Sequence, residues 1–161
     1  MAERFSQKNL RVRPSSDEEK IVTNAKEHFE KTLVEISGEL VGSVAALEHP
    51  TKNKKLNYGE IFLRDNVPVM IYLITQKRHE IVKKFLTVCL ELQSSNYQTR
   101  GVFPTSFVEE NGKLIGDYGQ RSIGRITSAD ASLWWPILCW YYVNKSGDHA
   151  FGKSQSVQRG I

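Results

Sequence analysis

The chain has 161 residues, of which 40% are apolar and 25% charged, and its formal net charge is +4. That length and balance suit one domain with a real core and exclude wholesale disorder. The mild positive surplus favours solubility and is only weak evidence for nucleic acid, which is not expected as a partner: the run Lys52 to Lys55 reads as a solvated loop, and no lysine or arginine interleaves with the aromatic residues from Leu133 to Val143.

Residues 1–15 are polar, basic and aperiodic, a flexible tail ahead of a single unit spanning 16–161. The tail has no apolar h-region, and no stretch in the chain approaches the roughly 18 apolar residues of a membrane span. The expectation is a cytoplasmic protein with no membrane partner. SSDEEKIVTNAKEHFEKTLVEI opens with Ser16 and Glu19 in capping-box spacing and with acids at the positive end of a helix. Ile21, Ala25, Phe29 and Leu33 recur every fourth residue, with Val22 and Ile36 beside them, so the spacing predicts an amphipathic helix that packs one face. ELVGSVAALEHP is apolar and glycine-broken, an extended buried piece.

In LNYGEIFLRDNVPVMIYLI, Arg64 and Asp65 sit between two hydrophobic runs. Pro68 fits the first turn of a helix, which would make Asp65 or Asn66 its N-cap. QKRHEIVKKFLTVCLEL carries Ile81, Phe85, Cys89 and Leu92 on one stripe, a second amphipathic helix. Cys89 and Cys139 both fall in apolar runs, as buried thiols of a reducing compartment do, and suggest no disulfide. His79 has no His, Cys or carboxylate at metal-ligand spacing, so no metal is expected.

SFVEENGKLIG pairs two short apolar runs across Asn111-Gly112, a hairpin signal. Around it lies a long glycine-rich stretch of the kind that builds sites, containing Asp117, Tyr118, Arg121 and Arg125. Its glycines match no phosphate-cradling motif, so no nucleotide cofactor is expected. SADASLWWPILCWYYV holds all three tryptophans, with Asp130 just ahead of them. Pro136 is excluded from a helix interior, so this helix should begin near Ser132 or Leu133 and stop at Gly147. An acid at that place is either the loop residue before a core helix or a proton donor set against rings that can also hold a sugar. A helix terminus favours its ionised form and a dry aromatic wall its protonated form.

Four segments in order, LNYGEIFLRDNVPVMIYL, GVFPTSF, DYGQRSIGRI and SADASLWWPIL, resemble the alkaline/neutral invertases of glycoside hydrolase family 100, cyanobacterial members above all, from about Leu40 to the C-terminus. The resemblance implies a mainly α fold: the N-terminal part of an (α/α)6 toroid with a long pocket loop and a small β-hairpin. It implies sucrose as the small-molecule substrate, no cofactor, and inverting hydrolysis to glucose and fructose. On the matching positions, Asp130 is the general acid. Arg64 and Asp65 grip glucosyl hydroxyls, Asp117, Tyr118 and Arg125 belong to the pocket loop, and Trp134 and Trp135 form part of its wall.

An inverting glycosidase needs a second carboxylate about 6.5 to 9.5 Å from the first. In the family that base is a glutamate beyond the point where this sequence stops, and Glu60, Asp65 and Asp117 do not occupy its position. The chain is therefore expected to be the N-terminal portion of an invertase, negligibly active alone, with a homo-oligomer or a complementing C-terminal fragment as partner. The competing expectations are a glucosidase for another disaccharide and an inactive remnant that serves as an interaction module.

Overall fold

A computed structural model describes residues 15–45, 58–120 and 130–161. The chain divides into two units, Met1–Lys31 and Thr32–Ile161. Helix α1 (Ser16–Thr32) accounts for the described helical residues of the first of them. Its capping box lies one residue earlier than expected: the Ser15 N–H donates to Glu18 Oε2 at 2.6 Å, and the Glu18 N–H donates back to Ser15 Oγ at 3.3 Å. No described residue of α1 is buried, and Ile21 and Val22 are 67% and 51% exposed.

The helix also stops short of Ile36. Leu33–Ile36 forms strand β1, antiparallel to β2 (Glu39–Ser43), and only this second element matches the extended piece expected there. Ser37 and Gly38 make the turn at φ 52° and 83°. Val34 and Ile36 are β-branched and prefer a pleated surface, so a Ser-Gly reversal after them turns the chain back before another helical turn can form.

Strand β3 (Ile61–Phe62) runs directly into helix α2 (Leu63–Thr75). It pairs with β4 (Ser106–Glu110), which pairs in turn with β5 (Lys113–Asp117). The β4–β5 hairpin turns on Asn111 and Gly112, both left-handed at φ 53° and 74°, as the Asn-Gly signal requires. Helix α3 (His79–Glu91) buries Ile81, Val82, Phe85, Leu86, Val88 and Cys89, among them three of the four stripe residues, while Leu92 is half-buried just past the helix end. It packs against α2, β2 and helix α4 (Ala131–Ser146), which ends at Gly147 in the left-handed conformation expected of that residue. Two short helices, α5 (His149–Gly152) and α6 (Gln155–Gly160), follow.

Helices α2 and α4 pack side by side and bury residues at the same spacing: Leu63, Val67, Met70 and Ile74 on one, Ala131, Trp135, Leu138 and Tyr142 on the other. Each carries its proline at the sixth helical position, Pro68 and Pro136, just beyond the first turn expected for Pro68, and α4 begins at Ala131, a residue ahead of the start expected near Ser132 or Leu133. Each helix is instead tied at its first turn from outside. The Leu63 N–H bonds the Thr105 carbonyl at 3.0 Å, and Ser132 Oγ accepts from the Phe103 N–H at 3.2 Å. These ties hold the helix ends across the break, although proline supplies no N–H to the carbonyl four residues back, Arg64 in α2 and Ser132 in α4.

Burial raises the Cys139 thiol to about 11 and pushes Cys89 still further up. Both thiols should therefore ignore Ellman's reagent in the native protein and react on unfolding. Rapid stoichiometric reaction without denaturant would contradict this packing.

Asp148 joins α3, α4 and α5. It caps α5 by accepting from the Phe151 N–H at 3.0 Å, pairs with Lys83 Nζ at 2.7 Å and accepts from the Tyr142 hydroxyl at 3.1 Å. The Lys83 hydrogen bond is the main influence holding its carboxyl below the usual range, while burial and then Asp148 itself raise Tyr142 to about 12. A depressed carboxyl stabilises the fold above its unfolded pKa and loses that contribution as pH falls through its folded value. Asp148→Ala should cost about 1–2 kcal/mol near neutrality. Urea melts should show the ion-pair share of that difference vanishing in acid; a difference independent of pH would contradict it. At the other extreme, Tyr142 adds an alkaline loss between its ordinary value near 10 and about 12.

Candidate active site

The passage from β3 into α2 places Arg64 and Asp65 in the first helical turn, where neither serves as N-cap. Phe62 holds that position, without a side-chain hydrogen bond. Both side chains are therefore available: Arg64 is 57% and Asp65 54% exposed. What fixes their turn is Asn66, a residue with no role in the sequence reading beyond a possible cap. It is 2% exposed. Its Oδ1 accepts from the Ser43 N–H at 2.8 Å, and its Nδ2 donates to the Ser43 carbonyl at 2.9 Å and the Phe62 carbonyl at 2.8 Å. One buried amide thus clamps β2 onto the start of α2, and Gly42 allows the approach, because a Cβ there would meet Ile61 Cγ2 at 2.7 Å. A polar residue two places before a helix proline was the available signal; its partners, far away in sequence, were not readable.

Asp130 is the N-cap of α4. Its backbone carbonyl accepts from Leu133 and Trp134 at 3.0 Å, while its carboxylate makes no capping bond to its own helix. The carboxylate instead approaches Arg64: Nη1 lies 3.7 Å from Asp130 Oδ2, and Nε of the same guanidinium lies 3.4 Å from Asp65 Oδ1. One arginine therefore bridges two carboxylates at the adjoining N-terminal ends of α2 and α4. Asp130 remains 41% exposed and the contacts are long, so these ion pairs add little stability.

The tandem tryptophans part ways. Successive helical residues point about 100° apart, so two neighbours cannot share one wall. Trp134, one turn beyond Asp130, is 37% exposed. Trp135 is fully buried: its ring stacks on Phe103 at 4.9 Å with a 14° interplanar angle, and its Nε1–H donates to the Leu86 carbonyl at 3.1 Å. Trp135 is a core residue.

Asp117 ends β5, almost completely buried, with Oδ1 accepting from the Gly119 N–H at 2.9 Å. The Tyr118 hydroxyl donates to the Leu92 carbonyl, and burial raises its pKa. These contacts brace the chain after the hairpin against the end of α3. Glu60 is buried as well and accepts from Ser106 Oγ at 2.6 Å, which ties β3 to β4 just ahead of Arg64. Arg125, like Arg121 and the lysine run Lys52 to Lys55, lies outside the described residues. A cavity of about 250 Å³ opens between β1 and the β4–β5 hairpin, over Ile36, Ile61 and Phe107, and is lined by none of the candidate residues. Among the described residues no three His, Cys, Asp or Glu side chains converge as a metal site.

The sequence pattern of the family described as alkaline and neutral invertase matches residues 25–161. The chain belongs to that family. Among its relatives, alkaline/neutral invertase CINV2 of Arabidopsis thaliana is 32% identical across 94% of this chain and 29% of its own length. Neutral/alkaline invertase 1, mitochondrial, of Oryza sativa subsp. japonica is 35% identical across 94% of this chain and 26% of its own. Cytosolic invertase 1 of the same rice is 31% identical, covering 88% of this chain and 27% of that protein. This invertase-family chain thus spans under a third of each of these relatives. Among the described residues no helix is long and apolar enough to cross a membrane. The relatives' names place them in different compartments, so family membership does not carry the cytoplasmic expectation.

Proposed function

We propose that the chain supplies the general-acid half of a sucrose-hydrolysing, inverting glycosidase, with Asp130 as the acid. The observation that carries this reading is the single guanidinium of Arg64 set between Asp65 and Asp130 at the joined ends of two helices, one turn from a part-exposed indole. Asp130 gives its proton to the oxygen leaving with fructose as the bond from that oxygen to the glucosyl anomeric carbon breaks. A water attacks that carbon from the opposite face and loses its proton to a second carboxylate. Arg64 offers donors and Asp65 acceptors to adjacent glucosyl hydroxyls, and the Trp134 face suits the C–H face of the ring. Asp117, Tyr118 and Arg125 stand in this reading as shapers of the pocket loop.

In this reading the water-activating base is a carboxylate other than those at the described cluster. Glu60 is unsuited to the task, buried and bound to Ser106. Purified chain alone should accordingly release negligible glucose from sucrose. Steady release that Asp130→Asn abolishes would overturn the half-site reading. When the chain is joined to the remainder of a relative, proton NMR of the first glucose formed should show the β-anomer. First-formed α-anomer would exclude inversion, and faster cleavage of another α-glucoside would exclude sucrose as the preferred substrate.

A further inference from the structure

We propose that Asn66 and Ser132 are positioning residues of the acid cluster, Asn66 for its Arg64–Asp65 end and Ser132 for its Asp130 end. The proposal rests on the reading of Asp130 as the acid and adds the two side chains that hold it against Arg64. The need for such holds follows from the prolines. A helix locates its first turn through bonds from its own later N–H groups. Pro68 offers no N–H to the Arg64 carbonyl, and Pro136 offers none to the Ser132 carbonyl. In each helix the missing bond falls in the very turn that carries the cluster. Where that turn sits is then decided by what grips it from outside.

Each turn has a side chain of its own for this. Asn66 follows Asp65 directly, is buried, and bonds Ser43 and Phe62 through three hydrogen bonds of 2.8 to 2.9 Å. Ser132 stands two residues past Asp130, and its hydroxyl accepts from the Phe103 N–H at 3.2 Å. All four bonds go to backbone groups, so both side chains act through the turns they hold. The two turns also share a reference. The Leu63 N–H bonds the Thr105 carbonyl at 3.0 Å, so both helix starts are tied to the short run Phe103–Thr105. That run is pinned in turn to β5, where the Thr105 N–H donates to the Asp117 carbonyl at 2.7 Å. What these holds set is the 3.7 Å approach of Arg64 Nη1 to Asp130 Oδ2.

The first test uses the chain alone and needs no reaction. In nitrogen-15 NMR spectra the Arg64 Nε–Hε peak should move when Asp130→Asn is introduced, and that response should largely vanish in a Ser132→Ala or Asn66→Ala background. The second test is kinetic, in the chain joined to the remainder of a relative, with sucrose and α-glucosyl fluoride as substrates. Ser132→Ala should lower kcat on sucrose about tenfold or more and leave the fluoride close to the parent rate, because a displaced acid matters only where the leaving oxygen needs a proton. Ser132→Thr, which keeps the hydroxyl, should restore the sucrose rate. Asn66→Ala should instead raise KM about tenfold for both substrates, since it loosens Arg64 and Asp65. Asn66→Ser, a milder cut that cannot make all three bonds, should show the same KM rise. Equal losses on both substrates with Ser132→Ala, or Asn66 variants that shift only the thermal melt, would overturn the proposal. So would an Arg64 peak that still answers to Asp130→Asn after either hold is cut. Should Asp130→Asn itself slow both substrates alike, the acid role falls, and the NMR response still judges the two holds.

Discussion

Asp130→Asn should cut sucrose hydrolysis by an assembled invertase unit about 10²- to 10⁴-fold, mostly in kcat. Asparagine preserves the shape of the side chain and one acceptor oxygen toward Arg64, so substrate should still bind. It cannot deliver a proton, and the fructosyl oxygen would leave as a poor alkoxide. A substrate whose leaving group needs no proton separates this loss from general damage: α-glucosyl fluoride should be cleaved by the variant at close to the parent rate. An equal loss with both substrates would remove Asp130 from the acid role. Arg64→Ala should behave differently and raise KM for both, since its proposed work is to hold hydroxyls.

Trp135→Ala should lower the free energy of unfolding by about 3–5 kcal/mol, the range for deleting a fully buried large aromatic. The ring fills space between α3 and α4, stacks on Phe103 and bonds the Leu86 carbonyl, so its loss leaves a cavity and removes a buried hydrogen bond. Trp134→Ala should cost about 1 kcal/mol or less, because its ring is only part-buried. Urea unfolding of the two variants side by side measures the contrast. Equal losses would mean that the two indoles are not divided between core and surface as described.

Much of the framework was legible because it depends on local rules. The stripe of α3 follows from the spacing Ile81, Phe85, Cys89; the hairpin follows from Asn111-Gly112 and the end of α4 from Gly147, since those backbone angles favour just such residues. The errors share a cause. Proline rules placed Pro68 in a first helical turn and the start of α4 near Ser132 or Leu133, yet ties from Thr105 and Phe103 hold both helix ends ahead of prolines at the sixth position. Helical periodicity carried α1 through Leu33 until pairing with β2 overrode it.

The sequence by itself determined the family, the residue types able to do acid and sugar-binding chemistry, and most helices and turns, because motifs and periodicity are written between near neighbours. Tertiary structure alone decided which of those residues meet. Arg64 reaches Asp130 because α2 and α4 lie side by side with their N-termini together, and Trp135 is lost to the core because α3 covers it. Both outcomes depend on long-range packing, in which a helix turns its better-covered face inward whatever chemistry that face carries.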